Sequence, residues 1–494
     1  MTDPMPVSRD GPIWQAPTTL DAHLNDCERF FDYYASVVDD WHARNRGYHV
    51  AISSLARFFI PPDSSVLEIG CGTGDLLAAL RPRRGLGIDI SGEMVGRAKQ
   101  KHPSLEFRQV AAEYIDVDGE QFDYLILSDV IGFLFDIRMV FDRLHVACNS
   151  HTRIVLHWYS RLWQPVIATA EKLGLKHPQP LLNWTTVEDV ANLLHLTDFE
   201  IVRERKHVLL PKRVPLITEL VNRYLAPLPV MRQLCLTNWI VARPLVPNEK
   251  DRAPTVSVIC PCRNEAGNIA HIIERLPLMG SQTELIFVEG HSEDGTLAEC
   301  HRCASDAGAR GLPTRVLVQK GRGKGDAVRL GFSAACGDVL MILDADLSVA
   351  PEDLVHFFQA LASGKGDFVN GSRLVYSMDP KAMRFLNLLG NRFFALLLSA
   401  LVGQHIKDSL CGTKVLWRSS YDEIAKGRGH FGEIDPFGDF DLLFGAAKLN
   451  LKIVEIPVRY RERTYGTTNI NRFSDGLLLL RMSAKAAAKL FFVS

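Results

Sequence analysis

The sequence predicts an α/β fold in two domains, and three observations carry that reading. At 494 residues the chain exceeds what one hydrophobic core ordinarily organises. Short β-branched runs alternate with longer helical patterns in both halves, as in a parallel sheet flanked by helices. Between the halves, RPLVPNEKDRAP (Arg243 to Pro254) combines three prolines with a charge run and separates two strand-like segments, TNWIVA and TVSVICP, as an interdomain linker does. The expected parts are a helical cap over residues 1–62, an α/β domain over 63–243, a linker over 244–254 and a second α/β domain over 255–494.

Composition narrows the function. Hydrophobic residues make up 47%, charged residues 23%, and the net charge is -1, so no global field attracts nucleic acid and none is expected as a partner. The ten cysteines include the close pairs Cys260/Cys262 and Cys300/Cys303, which lack the histidines and spacing of a zinc module. Reduced, mostly buried thiols are expected. The start, MTDPMPVSRDGPIW, is polar and Pro-rich rather than basic and then apolar, which predicts a cytoplasmic protein. The longest apolar helical candidate, Phe393 to Gly403, is about half the ~20 residues a spanning helix needs.

The N-terminal run ERFFDYYASVVDDWHAR reads as a helical cap with a structural role. In SSVLEIGCGTGDLLAAL, a strand over Val66 to Ile69 leads directly into Gly70, Gly72 and Gly74 and then a helix, where glycines let backbone approach a ligand. About 20 residues later the strand LGIDI carries Asp89, placed to accept hydrogen bonds from ribose hydroxyls. The glycines fall as G-x-G-x-G after an acid, not as the G-x-G-x-x-G of dinucleotide binding. Together with Met94, Ala112-Glu113 and FDYLILSDVIGFL, this stretch resembles the class I S-adenosylmethionine-dependent methyltransferases over roughly residues 64–160. The resemblance implies a Rossmann-like methyltransferase fold with S-adenosylmethionine as cofactor. It puts Glu68, Gly70 and Gly72 at the methionine end beside Gly74 and Met94, Asp89 at the ribose, Glu113 at the adenine edge and Asp129 at the cofactor floor. His157, in the strand RIVLHWY, is the candidate general base. The alternative is a domain that binds cofactor as a sensor or scaffold without methylating anything.

In the C-terminal half, TVSVICPCRNEAGNI reads as a buried strand that breaks at Pro261 and passes through a polar loop into a helix. ELIFVEGHSEDGT is a second strand ending in acidic and small residues, and QKGRGKGDAVRLGF offers a glycine-rich loop with Lys324. DVLMILDADLS then delivers Asp344 and Asp346 one residue apart at a strand end, where two carboxylates can share a divalent ion whose other positions take diphosphate oxygens. These elements, in this order, resemble the inverting family 2 glycosyltransferases of the GT-A fold, of the polyprenyl-phosphate sugar transferase type, from about Thr255 to Thr468. The resemblance implies a nucleotide-sugar donor bordered by Pro261, Arg263, Asn264, Glu265, Glu289, Asp294, Lys324 and Asp326, with Mg2+ or Mn2+ on Asp344 and Asp346. Asn370, Ser372 and Arg373 would begin the acceptor side, and Asp408 matches the acid of a D-x-x-x-G turn. Ser348 stands where mannosyltransferases of this type carry a glutamine, and Gly290 replaces a second aspartate. A nucleotidyltransferase, the competing reading, would begin with a GTR-like loop where this chain has CPCRNEAGN.

A lipid-phosphate acceptor on a membrane surface is expected from three features. Phe385, Leu388, Leu389, Phe393, Leu396, Leu397, Ala400 and Leu401 make a helical apolar stripe. Arg481, Lys485 and Lys489 share a helix face near Leu477, Leu478, Met482, Phe491 and Phe492, which suits anionic headgroups. Arg459, Arg461 and Arg463 alternate along an expected strand and would put three guanidiniums on one side, toward a phosphate. If the acceptor is instead a glycan hydroxyl, a carboxylate must take its proton, and Asp408 or Asp441 is the candidate.

Overall fold

The computed structural model describes residues 19–493 apart from 180–182, 213, 246–252, 309–310, 376–384, 409, 431–434, 436–437, 462–464 and 466–471. Most of the expected linker and Arg463 lie outside the described residues. The chain falls into two compact units, residues 1–246 with 492–494, and residues 247–491.

The first unit opens with three helices, Leu20–Ala35, Val38–Arg44 and Arg46–Phe59. The first starts where the Thr19 side chain accepts the Ala22 N–H at 3.3 Å, satisfying a donor that has no partner within the helix. Its Asp32 accepts from the Ser91 hydroxyl at 2.5 Å and the Glu93 N–H at 3.2 Å, tying the cap to the helix Gly92–Lys101. The sheet holds β1 (Ser65–Ile69), β2 (Arg84–Asp89), β3 (Glu106–Gln109), β4 (Tyr124–Ser128), β5 (Arg153–Tyr159), β6 (Phe199–His207) and β7 (Thr237–Pro244), in the order β3-β2-β1-β4-β5-β7-β6. All pairings from β3 through β5 are parallel. β7, however, runs antiparallel to both β5 and β6, so the sheet is mixed where a parallel one was expected. Leu67, Ile69, Leu125, Leu127, Ile154 and Leu156 form its core, and near-continuous apolar runs are what strands covered on both faces require.

The second unit repeats the plan with β8 (Val256–Cys262), β9 (Thr283–Glu289), β10 (Thr314–Val318), β11 (Val339–Ile342), β12 (Phe368–Ser372), β13 (Lys414–Trp417) and β14 (Ile453–Pro457), ordered β10-β9-β8-β11-β13-β12-β14. Only β13 opposes its neighbours among the described strands. Two expectations are corrected. β8 does not break at Pro261: that residue pairs with Val288 of β9 and lies past Ile259, the last residue in register with β11, so its missing N–H does not interrupt that ladder. β14 ends at Pro457, so Arg459 and Arg461 follow the strand rather than alternate along it. All ten cysteines are free thiols, and all but Cys336 are buried. Among the described residues no helix is long and apolar enough to cross a membrane.

In both units the chain order jumps across the sheet beside its first strand: β1 lies between β2 and β4, and β8 between β9 and β11. Crossovers leaving in opposite directions open a crevice at the strand C-termini, where ligands settle in such sheets.

Candidate functional site

In the first unit the crevice is a cavity of about 830 Å3. β1 enters a turn in which Gly70, Gly72 and Gly74 have φ of 72°, 53° and 76°. A Cβ at Gly70 would lie 2.7 Å from Val130 and one at Gly74 2.6 Å from Phe107, whereas at Gly72 nothing stands within 4 Å. The backbone at Gly72 therefore borders open space. Asp89, ending β2, braces the turn: its Oδ2 accepts the Gly72 N–H at 2.8 Å and its Oδ1 the Ser91 N–H at 2.9 Å. Burial raises its pKa, with those two N–H groups opposing.

Glu68 accepts the Leu77 N–H at 3.0 Å, and Glu113 accepts the Phe135 N–H at 3.1 Å. Glu68, Gly70, Gly72, Asp89, Met94, Glu113 and Asp129 all line the same cavity, while Gly74 stands off its wall and caps the helix Asp75–Leu80. The carboxylates thus hold backbone in place and keep lone pairs for a ligand. An open backbone position, a braced turn and a cavity of this size fit a nucleoside cofactor.

His157 is corrected. It has no exposed surface and its ring centroid lies 4.4 Å from that of Trp239, so an acceptor cannot reach it. Its Nδ1 faces Asp129 Oδ1 at 3.4 Å and the Ser128 hydroxyl at 3.1 Å, behind the cavity wall rather than on it. Asp129 itself has φ of 57° and accepts the Tyr48 hydroxyl at 2.7 Å. Tyr48 belongs to the cap, and Tyr34, Trp41, His42 and His49 of the cap also line the cavity. Sequence reasoning gave the cap a structural role only; its dense aromatic and histidine content was the available signal.

In the second unit Asp344 stands two residues past β11, and its Oδ1 meets Lys324 Nζ at 2.6 Å. The same ammonium lies 3.8 Å from Asp439 Oδ2. Burial opposes charge on Lys324, but the two carboxylates hold its pKa above the ordinary value. Burial likewise raises Asp344, and the ammonium overrides it, leaving its pKa lowered. Gly412, the glycine of the D-x-x-x-G turn, packs closely here: a Cβ would lie 2.0 Å from Asp344 Oδ2 and 2.2 Å from Lys324 Nζ, so both side-chain ends would have to shift. Asp346 accepts the Ser348 N–H at 3.0 Å and its hydroxyl at 2.7 Å, so Ser348 braces the second carboxylate. The Arg461 N–H bonds the Ser348 carbonyl at 3.0 Å, docking the segment after β14 against this turn.

The expected nucleotide residues tie the loops after β8 and β9 to each other and brace the loop after β10. Asn264, with φ of 56°, donates its N–H to Ser292 Oγ at 3.0 Å and accepts the Glu293 N–H at 2.8 Å. Glu265 accepts from Asn268 at 2.6 Å, Glu289 from the Ser292 N–H at 2.5 Å, Asp294 from the Thr296 N–H at 2.9 Å and Asp326 from the Gly321 N–H at 3.0 Å. Pro261 lies next to the last residue of β8, and the exposed Arg263 directly follows that strand. Gln319 was missed: it is buried just past β10 with its Oε1 unpartnered, and a Cβ at Gly290 would lie 3.2 Å from its Nε2.

Asp408 is fully buried and receives five hydrogen bonds: three from Arg373 (main-chain N–H 2.9, Nε 2.6, Nη2 2.8 Å), one from Asn391 at 3.0 Å and one from the Leu410 N–H at 3.0 Å. Burial raises its pKa, Arg373 more than reverses this, and the carboxyl is held at about 2. These donors take up its lone pairs, an arrangement that suits holding Arg373 in place better than accepting a proton. Asn370 donates to the Asp408 carbonyl at 2.7 Å and accepts from the buried Lys414 at 2.8 Å, while Ser372 is buried. Asp441 is engaged by Arg428 at 2.6 Å.

Among the described residues the one group of three possible metal ligands is Asp39, His42 and Asp75, and there Lys101 already occupies Asp75 at 2.7 Å. Among the described residues no group of three possible metal ligands includes Asp344 or Asp346. Two carboxylates nonetheless suit Mg2+, which is commonly held by one or two of them together with substrate phosphates.

Residues 257–425 match the profile of glycosyl transferase family 2, and residues 41–204 that of a methyltransferase domain. Glycosyltransferase AglJ of Haloferax volcanii is 31% identical over 247 residues, covering 48% of this chain and 76% of that protein. A dolichol-phosphate mannosyltransferase of Pyrococcus furiosus is 28% identical over 226 residues, covering 44% and 59%. Two other matched relatives are spanned over 54% and 61% of their length. Among solved structures, a methyltransferase in complex with the Trm112 activator of Haloferax volcanii aligns over 45% of this chain and 100% of that one at 16% identity, with a TM-score of 0.36. With the fold, the strand-end turns and the relative spanned over three quarters of its length in agreement, this chain belongs to glycosyltransferase family 2 through its second unit and carries a methyltransferase domain as its first.

Proposed function

We propose that the second unit transfers a sugar from a nucleotide-sugar to a polyprenyl phosphate, and that the first is an S-adenosylmethionine-dependent methyltransferase. The observation that carries the first part is the Asp344–Lys324 pair at the end of β11, next to the Arg373–Asp408 pair. Asp344 and Asp346 would hold Mg2+ or Mn2+, which supplies positive charge to the departing diphosphate. Lys324, released from Asp344, would hold a donor oxygen. A phosphate acceptor is anionic at neutral pH and needs cations rather than a base to hold it, a task that suits Arg373 and the exposed Arg459 and Arg461. Matched relatives named for dolichol phosphate and undecaprenyl phosphate support this acceptor class.

A peripheral position on an anionic membrane, on its cytoplasmic side, belongs to the same reading. In the helix Phe385–Val402, Phe393 and Leu396 are 53% and 75% exposed. Leu477 and Leu480 are exposed in Arg472–Ala486, beside the exposed Arg481, Lys485 and Lys489. The side chains of Phe385, Leu388 and Leu389 lie outside the described residues, and Met482 packs inward. Exposed apolar side chains flanked by cations suit a lipid surface.

A hydroxyl acceptor is the second reading, favoured by Asp439, whose Oδ1 is buried without a hydrogen-bond partner near Lys324. It would take the proton that neither Asp408 nor Asp441 is free to accept. The deciding experiment incubates the full chain with UDP- and GDP-hexoses, with and without polyprenyl phosphate and Mg2+ or Mn2+. Transfer to the lipid that is abolished by chelator and by Asp344→Ala, and retained in part by Asp439→Asn, is expected. Transfer only to a soluble glycan, lost in Asp439→Asn, selects the second reading, and undiminished transfer in chelator removes the metal.

A further inference from the structure

The cavity of the first unit continues past the cofactor turn into a wall supplied by the cap. His42 Nδ1 lies 3.7 Å from Asp75 Oδ2, the residue directly after Gly74. The ring of His49 lies 4.0 Å from that of His42 and 5.2 Å from that of Tyr48, whose hydroxyl holds Asp129 at the end of β4. This chain of contacts sets His49 between the glycine turn and the end of β4, the two elements that would flank a methyl donor. Among the described residues, and apart from the exposed Arg46, Arg57 and Lys212 at the rim, each carboxylate, ammonium and imidazole lining the cavity has a hydrogen-bond or ion-pair partner except His49. Glu68, Asp89 and Glu113 bind backbone N–H groups, Asp129 binds Tyr48, and Lys176 pairs with Glu171 at 2.9 Å. Burial, with His42 and His157 adding to it and Asp75 opposing, pushes the His49 imidazole down to about 3, so it stands neutral at physiological pH.

We propose that His49 is the general base of methyl transfer and that the acceptor is a sugar hydroxyl held against the aromatic wall of Tyr34, Trp41 and Tyr159. This rests on the reading of the unit as a methyltransferase. The acceptor class follows from what the wall offers. Among the described residues its interior has no unpaired cation for a carboxylate or phosphate, and Asp129 Oδ1, buried without a hydrogen-bond partner, can accept from a hydroxyl. Aromatic faces suit the C–H faces of a pyranose, and the rim cations suit an anionic substituent left outside. S-adenosylmethionine supplies an electrophilic methyl group when bound. The acceptor oxygen bonds the methyl carbon as the carbon–sulfur bond breaks with its electron pair kept by sulfur, and the hydroxyl proton passes to His49 and then to water.

The test uses the full chain with octyl glucoside and octyl mannoside below micellar concentration. Without cofactor, either hexoside is expected to quench tryptophan fluorescence, and Trp41→Ala to weaken that binding at least tenfold. Methyl transfer from labelled S-adenosylmethionine to a hexoside is expected to fall at least 100-fold in His49→Ala and His49→Gln, with cofactor affinity by calorimetry changed less than threefold and free imidazole restoring part of the rate in His49→Ala. Cofactor binding without hexoside binding or methylation overturns the acceptor class, and full activity in both His49 variants overturns the base. Absence of cofactor binding by the wild type removes the methyltransferase reading and this proposal with it.

Discussion

At the strand ends of the first unit the carboxylates are turned onto backbone, whereas at the strand end of the second the reactive carboxylate is turned onto an ammonium. Asp89, Glu68 and Glu113 each accept a main-chain N–H, and the glycine turn they brace leaves Gly72 facing open space. Asp344 is instead closed by Lys324 at 2.6 Å, with Gly412 packed against both. The first site is preorganised around a space, and the second around a charge pair that, under the proposed function, ligand binding would rearrange. The difference teaches that a ligand approached by backbone can be met by a rigid turn. One that brings its own cation and phosphates needs a resident countercharge to stabilise the empty site, because a lone buried carboxylate is expensive.

The largest expected effect lies beside the second site. Asp408→Ala leaves the Arg373 guanidinium buried without its partner, which should destabilise the unit by about 3–5 kcal/mol in urea denaturation of the full chain. Because Arg373 overrides burial and holds the Asp408 carboxyl at about 2, the contribution is fully present above the ordinary carboxylate pKa. It is lost as pH falls through about 2. The gap between wild type and Asp408→Asn should therefore be constant from pH 7 to 5 and narrow below pH 4. A gap that persists undiminished at pH 2 would show that packing, not charge, holds Asp408 in place.

Next in size is Gly412→Ala. A Cβ placed 2.0 Å from Asp344 Oδ2 must push the carboxylate off Lys324, so sugar transfer is expected to fall by about 100-fold, equivalent to roughly 2.7 kcal/mol. The corresponding change in the first unit separates space from strain. Gly70→Ala meets Val130 at 2.7 Å as well as a positive φ and should lower stability by about 2 kcal/mol or more. Gly72→Ala has open space, so it should lower stability by only about 1 kcal/mol while weakening S-adenosylmethionine binding in calorimetry. Equal stability losses in the two variants would contradict the open position at Gly72.

These pairings also mark what was legible beforehand. The glycine turn, Asp89 and the Asp344/Asp346 pair were readable because each sits where a strand pattern stops, a signal confined to a few neighbouring residues. Lys324 and Asp344 were both singled out, but their contact joins residues 20 apart through the crossover from β10 to β11, and periodicity carries no such information. The same holds for Arg373 with Asp408 and for Tyr48 with Asp129, 81 positions apart. Proline at position 261 suggested a strand end because local propensity cannot see that β11 has already left the ladder there. Arginines at 459 and 461 suggested a strand face because alternation continues past Pro457, where pairing with β12 stops.

The smallest effect bears most directly on the comparison. If Lys324 stands in for the cation that the donor complex brings, Lys324→Gln frees Asp344 without adding bulk and leaves Asp439 as a second unneutralised carboxylate nearby. Binding of Mn2+ alone, in the absence of nucleotide, should then strengthen, because the ion no longer competes with a tethered ammonium 2.6 Å from its ligand atom. A tenfold gain corresponds to about 1.4 kcal/mol, modest because two carboxylates bind a divalent ion weakly without phosphate. Donor affinity should move the other way, since the ammonium that would hold a donor oxygen is gone. Titration of the full chain with Mn2+, followed by its paramagnetic signal, reads the first effect, and nucleotide binding by calorimetry reads the second. Unchanged Mn2+ binding together with unchanged donor binding would mean that the Asp344–Lys324 pair is a structural brace like those of the first unit, and the contrast between the two sites would disappear.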